Sequence, residues 1–364
     1  MKTGTASTIQ NQATQKTEEP RQNRLSPEYE VFSVALGEGK SYKLVVDAGT
    51  DDPVVHAYRY GHHANAELTE LLAEFTRPGD FVLDLGAHVG TFSLAAAASG
   101  CRVVAVDASP KHVDLLRQSV AENDFRRMRV VHAAMGETEG TVKFHVAGLW
   151  GMVAGPNMHA SVVDGAPLVE VDAVIGDQLL EKLDWKRVDF IKMDIEGSEV
   201  AAIRGMKNLL ARDDAPVIAF ECNGVTLPHY GYDTSTLLAK IEAFGYRTYR
   251  IDEKHFIPVS SREFQPETYV DLIALRPRHE QRVASRISAP RSQAEVIARA
   301  VQEARKSHEV ERGYIASALK SAGPEILGNP SIQEALNQLA VDPVASVRES
   351  AQWWHRLRTP STVE

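Results

Sequence analysis

Cysteine is scarce in this sequence, with only Cys101 and Cys222 among 364 residues. Two thiols cannot build a disulfide framework or a four-thiolate metal site, so both kinds of protein are excluded. Each cysteine lies next to an apolar run that is typical of a strand. We therefore expect two buried free thiols, the usual state in a reducing compartment.

Long apolar runs are also missing, since no stretch approaches the roughly 18 consecutive apolar residues that a membrane span needs. Residues 1–20 are rich in Thr, Gln, Asn and Glu and lack the apolar region of a secretory signal. We predict a disordered leader over residues 1–27 and a cytoplasmic protein without a membrane span. The formal net charge of −9 argues against a nucleic-acid partner.

The remaining sequence has the composition of an ordinary folded chain, with 43% hydrophobic and 24% charged residues. Alternating residues predict a β-hairpin within residues 28–64. Short apolar strands then alternate with helices over residues 65–277, which is typical of an α/β domain with a parallel sheet. Residues 278–364 are predicted to form an all-helical appendage, in which Val341 to Ala351 resembles half of a HEAT repeat.

The most informative segment joins the first strand of the α/β domain to a helix. Its sequence is Val82-Leu-Asp84-Leu-Gly86-Ala-His-Val-Gly90, and its two glycines allow a tight turn. Their spacing differs from the G-x-G-x-x-G of dinucleotide sites. An aspartate at this turn would repel a diphosphate and suits a cationic ligand. The alternative is a tight turn with a structural role only.

A second acid, Asp107, ends the next strand, 23 residues after Asp84. In this topology a carboxylate at that point lies beside a bound nucleoside and accepts hydrogen bonds from the ribose hydroxyls. A cationic amino-acid nucleoside would satisfy both acids. The two acids therefore predict a pocket for S-adenosylmethionine, with a solvated Asp107 as the alternative.

Three segments together resemble the FkbM family of S-adenosylmethionine-dependent methyltransferases. They are Asp84-Leu-Gly-Ala-His-Val-Gly90, Val106-Asp-Ala-Ser-Pro110 and Ile191-Lys-Met-Asp-Ile-Glu-Gly-Ser-Glu199. The resemblance implies a Rossmann-like class I methyltransferase fold of the α/β class. Its mostly parallel, seven-stranded sheet would have an antiparallel last strand and helices on both faces. The resemblance also implies O-methylation of a hydroxyl on a sugar, glycan or natural product.

The resemblance further implies which residues hold the cofactor. They are Asp84, Gly86, Ala87, His88 and Gly90 in the cofactor loop, Asp107 at the ribose and Ala133 near the adenine. Two positions differ from the common family pattern, since His88 stands where Asn is common and Asp107 where Glu is common. Asp107 still reaches a ribose diol. His88 adds a titratable group beside the cofactor or takes over the hydrogen bonds of the amide.

A second group of acids lies where two later strands are predicted to end. Asp194 follows the strand from Val188 to Met193, at the edge where ligands bind in open α/β sheets. It would therefore lie beside both the sulfonium of the cofactor and the acceptor. Asp194, Glu196 and Glu221 are expected to converge there, and carboxylates close together have raised pKa values that suit a general base.

We rank Asp194 first as the base, with His229, just past the fifth strand, as a rival. No metal is predicted, although three acids offer the oxygen ligands that Mg²⁺ prefers. Two neighbouring charges have structural interpretations: Lys192 neutralises an acid within the sheet, and Glu199 caps a helix.

A long loop over residues 148–167 contains Trp150, Met152, Met158 and His159. Loops of this length are usually functional, and we predict a lid over a small-molecule or glycan acceptor with some apolar surface. An N- or carboxyl-methyltransferase of the same fold remains an alternative. A third hypothesis is a non-catalytic S-adenosylmethionine-binding scaffold. Such a scaffold would act through the helical appendage, which under any of these hypotheses is also the candidate site for a second copy of the chain or a synthase partner.

Overall fold

The computed structural model describes residues 28–37, 39–50, 52–60, 66–147, 150–158, 165–252, 255–261, 269–288, 319 and 327–358. The predicted leader, His159 with part of the predicted lid, and much of the C-terminal appendage lie outside these ranges. No helix within the described ranges combines the length and the hydropathy that crossing a bilayer requires.

The described residues contain fourteen strands in three sheets. The strands are β1 (Tyr29–Gly37), β2 (Lys40–Asp47), β3 (Phe81–Leu85), β4 (Arg102–Asp107), β5 (Met128–His132), β6 (Ala134–Gly136), β7 (Gly140–Ala147), β8 (Trp150–Val153), β9 (Leu168–Ile175), β10 (Phe190–Met193), β11 (Val217–Asn223), β12 (Arg247–Asp252), β13 (His255–Val259) and β14 (Tyr269–Leu275). The helices are α1 (Pro53–Arg59), α2 (Ala66–Phe75), α3 (Thr91–Ala98), α4 (Pro110–Glu122), α5 (Gly176–Lys182), α6 (Glu199–Gly205), α7 (Lys207–Leu210), α8 (Thr234–Glu242), α9 (Pro277–Glu280), α10 (Pro330–Leu339) and α11 (Ala345–Arg358).

The largest sheet has the strand order β13-β12-β14-β11-β10-β3-β4-β5. Its strands β11, β10, β3, β4 and β5 are parallel, while β14 is antiparallel to both β11 and β12. Strands that are buried on both faces consist of nearly continuous apolar runs, which is why the sequence indicated them. The predicted α/β fold, with its mostly parallel sheet and antiparallel last strand, is confirmed.

The predicted count of seven strands is wrong, because this sheet has eight. The additional strand is β13, which forms an antiparallel hairpin with β12. Pro258 lies in β13 and lacks an amide donor, so it fits an edge strand and weakens the strand signal in the sequence. β13 lies at one edge of the sheet beside β12, and its Phe256 also forms an isolated parallel bridge with Ile287.

The core is divided between the two faces of the largest sheet. One face buries Val82, Val103 and Phe190 against apolar residues of α2, α3 and the β1–β2 hairpin. The other buries Leu83, Val104 and Ile191 against α5, α6 and α8. Neighbouring residues of one strand alternate between the two cores because side chains alternate across a strand. Cys101 and Cys222 are both buried and free, as predicted.

The β1–β2 hairpin predicted within residues 28–64 is present, and it packs on the parallel sheet's helical layer. The backbone amide of Val45 donates to Ser119 Oγ at 2.9 Å, and that of Lys43 donates to Asn123 Oδ1 at 2.7 Å. These bonds attach β2 to α4.

A smaller sheet with the order β6-β9-β7-β8 lies beyond β5 along the chain. The predicted loop over residues 148–167 is corrected here, because Trp150–Val153 forms β8 and pairs with β7. Gly151 permits this pairing, since a Cβ there would lie 2.1 Å from Cζ of Phe144. A four-residue strand among Gly, Pro and Asn residues gives little signal in a sequence.

The described part of the C-terminal appendage contains two helices, α10 and α11. Leu339, Val347 and Ala351 pack together between them. Asp342 Oδ1 accepts a hydrogen bond from the amide of Val344 at 2.9 Å, just before α11 begins. The Asp342-Pro343 pair thus lies in the turn just before α11. Residues 289–318 and 320–326 are outside the described ranges.

Candidate active site

A cavity of about 420 Å³ opens at the carboxyl ends of the parallel strands, where open α/β sheets bind ligands. Eight of the predicted site residues line it, namely Gly86, Ala87, His88, Asp107, Ala133, Asp194, Glu196 and Glu221. Asp84, Gly90 and His229 are not among the described lining residues. The cavity is large enough for a nucleoside-sized ligand.

The two glycines of the loop between β3 and α3 act through close packing. Gly86 has a φ of +76°, and a Cβ on it would lie 1.7 Å from the carbonyl oxygen of Asp194. Gly90 has a φ of +95°, and a Cβ there would lie 2.1 Å from Leu116 Cδ1. Only glycine fits both the positive φ and the close approach. Gly86 thereby brings the loop against the end of β10, whereas Gly90 brings α3 against α4.

Asp84 lies beneath this loop and is fully buried. One carboxylate oxygen accepts a hydrogen bond from the hydroxyl of Ser93, and the other lies 3.6 Å from Lys192 Nζ. Burial raises the pKa of Asp84 despite this ammonium group. The expectation that Asp84 faces a ligand directly does not fit this placement, since its partners are protein side chains.

Lys192 connects the loop that follows β3 with the turn that follows β10. Its Nζ donates to the carbonyl oxygen of Gly86 at 2.7 Å and lies 3.3 Å from Asp194 Oδ2. Burial lowers the pKa of Lys192, but the carboxylates of Asp194 and Asp84 outweigh burial and raise it. The interpretation of Lys192 as the neutralising partner of acids within the sheet is confirmed.

Asp107 ends β4 and forms one wall of the cavity. Its Oδ2 accepts from the amide of His88 at 2.7 Å, and its Oδ1 accepts from the amide of Ser109 at 2.8 Å. Burial raises the pKa of Asp107, but the hydrogen bonds, above all that of His112, outweigh burial and lower it. The carboxylate is therefore ionised and acts as an acceptor. Ala133, directly after the next strand β5, lines the cavity beside it.

The carboxylates predicted to converge do so at the opposite end of the cavity. Asp194, Glu196 and Glu221 each offer an oxygen, and these three oxygens lie within 4.8 Å of one another. Asn223 Nδ2 donates to Glu221 Oε2 at 3.2 Å. Clusters of this kind also occur without an ion, and we assign no metal to them.

Glu196 differs from the other two acids in its backbone and in its surroundings. It has a φ of +51°, and its Oε2 is buried without a hydrogen-bond partner among the described residues. Burial, together with the charges of Glu221 and Asp194, raises the pKa of Glu196 to about 8. The side chain is thus a carboxyl group that exchanges its proton near neutral pH.

Glu199 has a structural role, but its Oε1 bonds the turn before α6 rather than capping the helix as predicted. It is fully buried, and its Oε1 accepts from the amides of Ile195 at 3.1 Å and Gly197 at 3.2 Å. Burial raises the pKa of Glu199 to about 7 even against these hydrogen bonds. Its carboxylate shapes the turn that carries Glu196.

His229 lies in a short 3₁₀ turn, Leu227–Tyr230, outside the cavity lining. Its carbonyl oxygen accepts from the amide of Asn157 at 3.0 Å, and Tyr230 Oη donates to the carbonyl oxygen of Val153 at 2.6 Å. The turn therefore supports the end of β8. Nothing in this arrangement brings the His229 ring to the acids of the cavity.

The cavity also contains residues that the sequence analysis missed. Asp52 and Val54, at the start of α1, line it, as do Phe144 in β7 and Asp271 in β14. Asp52 Oδ2 lies 2.7 Å from His88 Nε2. The Asp52-Pro53 pair was a sequence signal for a helix start, but no spacing connected it to the cofactor loop.

Comparison with known proteins identifies the domain that carries this cavity. A family model described as the methyltransferase FkbM domain matches residues 84–248. This chain contains a methyltransferase FkbM domain. The resemblance noted from the three sequence segments is thereby confirmed.

Other known proteins show weaker similarity to this chain. Over 147 residues the chain is 24% identical to the hexuronic acid methyltransferase AglP of Haloferax volcanii, covering 40% of this chain and 57% of that protein. The chain thus spans little more than half the length of this curated relative. Among solved structures, the precorrin-6y C5,15-methyltransferase of Geobacter metallireducens GS-15 is 15% identical with a TM-score of 0.34, covering 58% of this chain and 88% of its own. P. horikoshii TYW2 in complex with MeSAdo is 15% identical with a TM-score of 0.32, and the coverages are 69% and 72%.

Proposed function

We propose that this FkbM-family protein is an S-adenosylmethionine-dependent O-methyltransferase that acts on a hydroxyl of a sugar, glycan or natural product. The observation that carries the proposal is one cavity with two chemically different ends. Asp107 and Ala133 lie at one end, the acids Asp194, Glu196 and Glu221 lie at the other, and the Gly86 loop runs between them.

The residues of the cavity fit a cationic nucleoside. Six carboxylates line it against one lysine and two histidines, and Lys192 is already held by Asp194 and Asp84. Such a lining would repel a diphosphate and attract a cation. Asp107, an ionised acceptor, would hold the ribose hydroxyls, and Ala133 would pack near the base. When bound, S-adenosylmethionine supplies the activated methyl group.

Glu196 is the general base that we favour, although sequence position alone ranked Asp194 first. Its carboxyl group has an oxygen with no described partner and a pKa raised to about 8 by burial and by neighbouring acids. A base of that strength accepts the proton of an acceptor hydroxyl near neutral pH. Asp194 is engaged by Lys192 at 3.3 Å, so we assign it to orienting the acceptor.

The acidic end of the cavity favours a hydroxyl over a carboxylate as the acceptor group. An acceptor carboxylate would lie among Asp194, Glu196 and Glu221, where like charges repel it. The name of the curated relative, a hexuronic acid methyltransferase, supports a sugar as the class of acceptor. We therefore propose methylation of a sugar hydroxyl.

Methyl transfer from labelled S-adenosylmethionine tests this proposal. We would offer neutral glycosides, hexuronic acids and amino sugars, and then treat each labelled product with mild base, which cleaves methyl esters but leaves methyl ethers intact. A base-stable label on a neutral glycoside is the expected result. A label found only on carboxyl or amino groups would overturn the O-methyltransferase assignment, and cofactor binding without turnover of any acceptor would support a scaffold.

A further inference from the structure

Asp52 and His88 form a contact between two parts of the chain that are distant in sequence. Asp52 precedes α1 and lies outside the segment that matches the family model, whereas His88 belongs to the glycine loop inside it. Oδ2 of Asp52 lies 2.7 Å from Nε2 of His88. Both residues line the cavity, at its Asp107 end.

Both carboxylate oxygens of Asp52 have a partner in contact. Oδ1 caps the start of α1 by accepting from the amides of Val54 at 2.8 Å and Val55 at 3.4 Å, while Oδ2 faces His88. The residue is only 4% exposed. Burial raises the pKa of Asp52, but the contact with His88 and the capping amides outweigh burial and lower it. The carboxylate is therefore ionised, and it needs both partners in a buried position.

His88 in turn is attached to the wall that would hold the ribose. Its amide donates to Asp107 Oδ2 at 2.7 Å, and its ring packs edge-on against that of His112, with the centroids 4.3 Å apart. His112 Nδ1 lies 3.5 Å from Asp107 Oδ1. The imidazole of His88 thus connects the first turn of α1 with the carboxylate of Asp107.

We infer that the Asp52–His88 pair is a positioning device for the cofactor. It holds the start of α1, with Val54, against the nucleoside end of the cavity and fixes the loop whose amide orients Asp107. The inference rests on the proposed function, because it concerns the same cofactor site. Asp52 and His88 act by positioning α1 and Asp107 at the nucleoside end of the cavity. Their substitution should therefore lower the affinity for the cofactor more than it lowers kcat.

A double-mutant cycle on the full chain tests the inference. Asp52→Asn preserves a side-chain cap for α1, and His88→Asn preserves a residue that tolerates a positive φ. Binding of S-adenosylhomocysteine is measured by calorimetry, and kcat and KM are measured with S-adenosylmethionine. Each single variant should weaken binding by about five- to tenfold. The double variant should lose little more affinity than the single variant with the larger loss, because both substitutions break the same contact. The rise in KM for the cofactor should exceed the fall in kcat.

Glu30→Gln is the matched control. Glu30, in β1, also pairs with a residue of α1, because its Oε2 lies 3.0 Å from Nε of Arg59, but neither residue lines the cavity. It should leave binding unchanged, and melting temperatures report any loss of folding. The inference is wrong if both single variants bind like the parent chain, if Glu30→Gln weakens binding equally, or if the single losses simply add. Failure of the parent chain itself to bind would instead overturn the proposed cofactor.

Discussion

Glu221 in β11 and Asp271 in β14 occupy directly opposite positions in the antiparallel ladder. Both line the cavity, close to Asp194 and Glu196. Like charges directly opposite each other destabilise a sheet, so this end of the cavity is built at the expense of stability. Acids placed in this way are expected at a site whose chemistry needs them.

Replacement of Glu196 by glutamine should separate activity from stability. We expect Glu196→Gln to lower kcat by about 100-fold or more, because it removes the proposed base. The unfolding free energy should rise, since a buried carboxyl repelled by its neighbours is replaced by a neutral group. Single-turnover kinetics and urea unfolding measure the two effects. Asp194→Asn is the comparison variant, and a larger loss of the chemical step there than in Glu196→Gln would return the role of base to Asp194.

Stability should depend on pH in a direction set by the same buried acids. The pKa of Glu196 is raised to about 8 and that of Glu199 to about 7, so between about pH 4.5 and 8 the native state binds more protons than the unfolded state. The stabilisation is complete below the unfolded pKa and is lost as the pH rises through the folded values. The melting temperature should therefore fall from pH 5 to pH 8, and it should fall more steeply than in a variant that lacks these buried acids. Glu196→Gln should flatten the upper part of this profile, and an unchanged slope would contradict the assignment.

Asp107 should determine cofactor affinity through its charge. Asp107→Asn removes an ionised acceptor, and hydrogen bonds to charged groups contribute about 1.5–3 kcal/mol. Binding of S-adenosylhomocysteine should therefore weaken by roughly 10- to 100-fold in calorimetry. Asp114→Asn, which changes an exposed acid on α4 that accepts from Gln118, serves as the control. Equal affinities for the Asp107 variant and the parent chain would rule out the ribose assignment.

Gly86 should tolerate no side chain. Gly86→Ala places a Cβ 1.7 Å from a backbone oxygen of Asp194 at a φ of +76°, so both sterics and backbone strain oppose folding. We expect a loss of about 3 kcal/mol or more in denaturant unfolding. Gly79→Ala is a matched control, because Gly79 has a φ of +96° with nothing within 4 Å of the added Cβ. It should lose only about 1–2 kcal/mol from the left-handed backbone, and equal losses would show that the contact with Asp194 is unimportant.

Positions at strand ends were the part of the site that the sequence could predict. Asp107 and Asp194 follow apolar strands, and parallel strands bring their carboxyl ends to one edge, so their approach follows from topology alone. The burial of Asp84 could not be inferred in the same way. One residue of offset decides whether a side chain reaches the edge or lies beneath it, and Lys192, its partner, comes from a strand more than a hundred residues later.

Other features depend on contacts that leave no local pattern. The approach of Asp52 to His88 depends on how the hairpin docks on α4, which is a tertiary property. β8 is four residues long and gains its stability from β7 rather than from its own sequence. β13 contains Pro258, which favours a loop in sequence terms. The fold class was therefore predictable, whereas the eighth strand and the wall formed by α1 were not.

The position of β14 has a consequence for how the chain is made. β14 lies between β11 and β12 in the sheet, yet it follows both in sequence and lies beyond the segment that matches the family model. During synthesis, β11 therefore keeps an open edge, and the β12–β13 hairpin has no place to dock, until residues 269–275 have left the ribosome. Exposed edges of this kind invite pairing with other chains. A nascent chain arrested before residue 269 should be protease-sensitive and prone to aggregate, whereas one arrested well after residue 275 should be protected.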